Sequence, residues 1–119
     1  MKTVKKVWGS EEWVVNTDRY CGKVLTLEPG FMCSYHFHKK KDETFHVLSG
    51  LVYLNLEGKE SIMKKGDSQR IEPGQKHCFA SLEGKSVMIE FSSHHDDSDS
   101  FRVDESRAID LEELRRRML

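Results

Sequence analysis

Glycines cut this chain into pieces too short for most helices and well suited to strands. Gly22, Gly30, Gly50, Gly58, Gly66, Gly74 and Gly84 fall mostly eight to ten residues apart, with one gap of twenty. Pro29-Gly30, Glu57-Gly58-Lys59, Pro73-Gly74 and Glu83-Gly84-Lys85 carry turn chemistry, and this rhythm predicts short strands joined by tight turns. Between the marks lie Lys23–Leu27, Phe45–Leu48, Leu51–Leu56 and Ser86–Phe91, runs rich in β-branched and aromatic residues that read as strands. The body of the chain, with a barrel core over about residues 20–92, is expected to be all-β.

At 119 residues the chain has the length of one domain. Its 37% apolar content supports one thin core without a second layer of helices. Nineteen Lys and Arg against twenty Asp and Glu leave a net charge of -1, so no global positive field exists to hold nucleic acid or an anionic membrane. No window holds the ~18 apolar residues of a spanning helix, and Met1–Lys6 lacks the apolar stretch of a secretion signal; a cytoplasmic protein is expected. Cys21, Cys33 and Cys78 show no CxxC spacing and are expected as buried free thiols.

After Phe91 the composition turns polar, from Ser92 to Ser100, and residues 93–104 read as a connector that leaves the sheet. A short helix is expected over about 108–118, because Asp110 precedes Glu113 by three residues and Leu111, Leu114 and Met118 recur at helical spacing. The Arg115-Arg116-Arg117 run sits in the last turn, where the helix dipole favours cations.

Gly30 to His38 reads as one strand, which puts Met32, Ser34, His36 and His38 on one face and Phe31, Cys33, Tyr35 and Phe37 on the other. The Cα atoms of His36 and His38 are then ~7 Å apart, so both imidazoles can converge on one ion. Glu43 opens the next strand within reach as a third ligand, and His77, just after the Pro73-Gly74 turn, is a fourth candidate. Three imidazoles and a carboxylate suit one divalent transition metal ion (Mn, Fe, Ni, Co or Zn), with positions left for substrate. By contrast, His46 has the wrong parity relative to Glu43, and His94 and His95 lie in the polar connector, where surface roles are expected.

Gly30, His36-x-His38, Glu43 and Gly50 resemble the first cupin motif at every position, and Gly66, Glu72-Pro73-Gly74 and His77 resemble the second, with Glu72 and Ser81 in place of its usual Pro and Asn. The resemblance implies a double-stranded β-helix, the jelly-roll barrel of the cupins, with a metal inside. Val7–Glu11, Arg19–Gly30 and Asp99–Glu105 extend it to type II mannose-6-phosphate isomerase domains, with Val7 where that family has Pro and His36 where it has Gln. It implies aldose-ketose isomerisation of a sugar or sugar phosphate.

Such a reaction needs a polarising cation, an acid-base group and stabilisation of an ene-diolate. Lys41, on Glu43's parity, and Glu90, alternating with Val87, Ile89 and Phe91, are the catalytic candidates, and desolvation beside a cation is expected to lower the Lys41 pKa. Arg70 and Arg102 are candidate anchors for an anionic substrate group. Two other readings fit the same ligands: an Fe(II) dioxygenase and a non-catalytic saccharide-binding module. Finally, if His36 and His38 face inward, the Phe31, Cys33, Tyr35 and Phe37 row faces outward and needs a cover. A homodimer is expected to supply it; the alternatives within one chain are the Trp8–Val15 segment and the terminal helix.

Overall fold

The computed structural model describes residues 2–119. Its strands in chain order are β1 (Lys2–Lys6), β2 (Gly9–Asn16), β3 (Cys21–Leu27), β4 (Phe31–Met32), β5 (His36–Phe37), β6 (Glu43–Ser49), β7 (Leu51–Leu56), β8 (Lys59–Lys64), β9 (Ser68–Ile71), β10 (His77–Ser81), β11 (Ser86–Ser92), β12 (Phe101–Arg102) and β13 (Arg107–Ala108); helix α1 (Leu111–Met118) follows. They form two antiparallel sheets. The first runs β1-β2-β3-β11-β6-β9, and the second runs β12-β5-β10-β4-β13, with β7 beside β10 and β8 beside β7. Among the described residues no helix is long and apolar enough to cross a membrane.

Strict alternation sets the inner face of the first sheet. Cys21, Lys23, Leu25 and Leu27 of β3, Glu43, Phe45 and Val47 of β6, and Ser86, Met88 and Glu90 of β11 are buried while their neighbours are partly or fully exposed. These rows face the second sheet, where Phe79 of β10 meets Phe45 at 5.5 Å between ring centroids and Trp8 at 5.1 Å. The inward row therefore changes along its length from apolar residues to charged ones, and the charged end builds the site.

Every residue of β10 is buried, as expected of a strand covered on both faces. One face looks into the barrel and the other lies under the C-terminal segment. Asp110 caps α1 by accepting from the Glu113 amide, Leu114 is buried, Arg115 donates to the Leu82 carbonyl, and Arg117 pairs with Glu60. The arginine run thus fastens the helix to the barrel.

The stretch from Gly30 to His38 departs from the single strand expected. It breaks between β4 and β5, and the break changes parity. Cys33 Sγ accepts from the Phe79 amide in the interior, whereas Met32 packs on Cys78, which alternates with the inward His77 and Phe79. The chain itself covers part of the outward row. Phe31 lies in register with Ala108 of β13, and Phe37 stacks on Phe101 of β12 at 5.3 Å. The polar connector returns to the sheet as β12, paired with β5.

Gly50 shows what the tight turns require. Its φ is +90°, and a Cβ there would lie 2.2 Å from Ser86 Oγ and 2.7 Å from Ser86 Cα. Gly58 has φ +83° with open space around it. Gly50→Ala is expected to cost about 2–4 kcal/mol, from backbone strain plus overpacking, and Gly58→Ala about 1 kcal/mol from backbone strain alone. Urea denaturation followed by circular dichroism checks the order of the two.

Candidate metal centre

His36 on β5 lies directly across from His77 on β10, and His38 follows just after β5. Glu43 begins β6 on the facing sheet. The nearest ligand nitrogens of His36, His38 and His77 all lie within 4.8 Å of one another. Glu43 Oε2 is 3.2 Å from His77 Nε2 and 3.4 Å from His38 Nε2.

The hydrogen bonds on the far side of each ring fix its tautomer. His36 Nδ1–H donates to the Ser34 carbonyl at 2.7 Å, His38 Nδ1–H to the Asp99 carbonyl at 2.8 Å, and His77 Nδ1–H to the Gln75 carbonyl at 3.0 Å. A carbonyl only accepts, so in the neutral ring the proton sits on Nδ1 and Nε2 presents a lone pair. Outer-shell carbonyls orient metal-binding imidazoles in the same way.

The consequence is a buried cluster of acceptors facing one another. Glu43 Oε2 and His77 Nε2 are buried and make no hydrogen bond, and two lone-pair atoms 3.2 Å apart repel without a cation between them. Ligands about 2.1 Å from a common ion lie roughly 3.0–3.4 Å apart in octahedral or tetrahedral arrangements. The two Glu43 distances match that spacing, and the three histidines stand close enough together to hold a metal ion.

Electrostatics keep these groups in metal-binding form. Burial, followed by His77, lowers the His36 pKa to about 3. Burial, followed by Lys41, lowers that of His38 to about 4. For Glu43, burial favours the neutral acid, but the Lys41 ammonium 3.5 Å away opposes it, and the carboxyl is held below its ordinary value.

Lys41 is buried beside this cluster. Its Nζ donates to Glu90 Oε2 at 3.0 Å and lies 3.5 Å from Glu43 Oε1. The lowered pKa expected for Lys41 does not hold: burial pulls it down, but Glu90 and Glu43 outweigh burial and raise it. Burial, reinforced by the charge of Glu43, raises Glu90 despite its lysine partner. Both groups line the same cavity of about 720 Å³ as His36, His38 and Glu43.

Arg102 also lines this cavity, in register with His36. Arg70 does not; its side chain is 59% exposed on the outside of β9 and bonds Asp42 through two nitrogens. The expected anion anchor at Arg70 is therefore a surface ion pair. His46 is also outside, bonded to Ser68.

Sequence reasoning missed several groups. Lys23 is almost fully buried; its Nζ is 3.5 Å from Glu11 and lies 4.2 Å from the Trp13 ring centroid. Its parity with Leu25 was the available signal. His95, expected at the surface, lines the cavity with its Nδ1 3.1 Å from Lys41 Nζ. Asp99 accepts from the amides of Lys39, Lys40 and Lys41 through its carboxylate, in addition to holding His38 through its carbonyl. Both lie in the connector, where composition gives no sign of inward contact.

The family model described as "Cupin domain" matches residues 23–92. A D-lyxose/D-mannose isomerase of Thermosediminibacter oceani is 35% identical over 117 aligned positions, covering 76% of this chain and 65% of that protein. A D-lyxose ketol-isomerase of Cohnella laeviribosi is 32% identical over 106 positions, covering 66% of this chain and 58% of that protein. The chain thus spans less than two thirds of the length of these relatives. Among solved structures, KdgF from Halomonas sp. superposes with a TM-score of 0.75 at 20% identity, over 82% of this chain and 90% of that one, which shows a shared fold.

Two measurements test the centre. Isothermal titration with Mn(II) or Zn(II) is expected to give one ion per chain. Removing a ligand in His77→Ala should weaken binding by more than the roughly 10- to 100-fold typical of outer-shell changes. Without metal, stability should fall as pH drops below the ordinary histidine value of 6.5, because the unfolded chain takes up protons that His38 and His36 refuse until about 4 and about 3. Glu43, held low, acts in the same direction at lower pH. Urea midpoints of chelator-treated protein at neutral pH and at about pH 5 measure the slope, which His36→Ala should flatten.

Proposed function

The chain belongs to the cupin family, and from that premise we propose that it is a metal-dependent isomerase interconverting an aldose and its ketose, with a sugar or sugar phosphate as substrate. One juxtaposition carries the reading: His36, His38 and Glu43 share a cavity with a buried Lys41–Glu90 pair poised for proton transfer, and His77 lies just behind them, 3.2 Å from Glu43. The names of the isomerase relatives support the same class of reaction.

His36, His38, Glu43 and His77 would hold the metal. When bound, it would polarise the substrate carbonyl and the adjacent hydroxyl. Isomerisation then moves one hydrogen from carbon 2 to carbon 1 and one proton between the two oxygens. Glu90, whose burial strengthens it as a base, takes the proton from one carbon and returns it to the other. The Lys41 ammonium, kept charged by two carboxylates, offers a proton to the oxygen on which negative charge develops. Arg102 lies at the cavity wall, in place to meet an anionic substituent where the sugar carries one.

The test is reconstitution of the full chain with Mn(II), Fe(II), Co(II), Ni(II) or Zn(II) in D2O, with D-lyxose, D-mannose, other aldoses and their phosphates followed by NMR. Ketose formation with deuterium at the exchanged carbon is expected. Glu90→Gln should lower turnover by about 10²- to 10⁴-fold, the usual contribution of an acid-base group, while metal binding persists. Oxygen consumption during turnover, or no exchange with any sugar and any metal, overturns the reading.

A further inference from the structure

Lys41 is held from a side that the metal ligands do not explain. Its ammonium has three N–H donors. Glu90 takes one at 3.0 Å and Glu43 lies near a second at 3.5 Å. The third meets His95 Nδ1 at 3.1 Å, and His95 comes from beyond the last long strand, outside the segment matched by the family model.

His95 is fixed at every available atom. Asn16 clamps its backbone at two points: the His95 amide donates to Asn16 Oδ1, and Asn16 Nδ2 donates to the His95 carbonyl, both at 3.0 Å. The Trp13 ring meets the imidazole edge to face at 5.0 Å. Asp97 accepts from Nε2 at 2.8 Å.

Those two partners leave the ring no freedom of tautomer. An ammonium only donates and a carboxylate only accepts, so the proton sits on Nε2 and Nδ1 is the acceptor. Burial, followed by the charges of Lys41 and Lys23, lowers the His95 pKa and keeps the ring neutral.

We infer that His95 is a positioning residue for the proposed isomerisation, an acceptor locked by Asn16, Trp13 and Asp97 that fixes the Lys41 ammonium between Glu90 and the metal ligands. Both of its ring nitrogens are engaged, by Lys41 and Asp97, so it acts through the lysine. The coupling also gives the N-terminal hairpin β1-β2 a part in catalysis, since Asn16 and Trp13 both belong to β2. The inference rests on the isomerase reading only for its kinetic consequence; the locked tautomer stands apart from it.

The test has two arms on the Zn(II)-loaded full chain. In the first, two-bond 1H–15N NMR of the histidine rings is expected to show His95 as the Nε2–H tautomer with a bare Nδ1, and the Lys41 ammonium protons as slowly exchanging signals that vanish in His95→Phe. A protonated Nδ1, an averaged tautomer, or Lys41 signals unchanged in that variant overturns the inference whether or not any sugar turns over. In the second, His95→Phe should lower kcat about 10- to 100-fold, in line with loss of an outer-shell partner, with KM changed by no more than about twofold. His95→Asn, which keeps an oxygen acceptor near the Nδ1 position, should restore most of it. Thermal melts separate this from unfolding: equal kcat in folded Phe and Asn variants also overturns it, whereas absence of turnover in the unsubstituted protein defeats the isomerase reading alone.

Discussion

Lone pairs crowded together in a dry interior are the constraint on which this structure turns. Three imidazole Nε2 atoms and a carboxylate oxygen face one another because backbone carbonyls have taken the proton of each opposite Nδ1. Such a cluster is costly unless a cation fills it. The surrounding charges are arranged around that demand: Glu43 stays ionised, His36 and His38 stay neutral, and Lys41 balances the carboxylates from the side.

The first sheet makes this possible by changing character along one face. Near Leu25, Phe45 and Met88 it is an ordinary apolar core. Two residues along each strand it becomes Lys23, Glu43 and Glu90, all nearly inaccessible to solvent. Each charge has a partner of opposite sign close by: Glu11 for Lys23, and Lys41 for both Glu43 and Glu90. Buried ions that are mutually paired tolerate desolvation far better than single ones.

Much of this was legible in the sequence because it rests on local periodicity. Glycine spacing marked out the strands, and alternation put His46 on the opposite face from Glu43, while it left Glu90 open between lumen and solvent and Lys41 open between lumen and turn. What periodicity could not reveal came from irregular backbone and distant contacts. The break at residues 33–35 reversed the expected facing of Met32 and Cys33. His95 lies 54 residues from Lys41, and Asp99 lies 61 from His38, in a polar run whose composition suggested only solvent. Arg70 failed for another reason: a guanidinium on a surface strand and one at a cavity wall look the same in sequence, and here Asp42 was the partner.

The tail that follows β11 does more than close the barrel. Through Asp99 it holds the loop between His38 and Glu43, and through β12, β13 and α1 it is laced across the opposite sheet. A protein engineer who transplants only the stretch bearing His36, His38, Glu43 and His77 would carry the candidate ligands and leave their fastening behind.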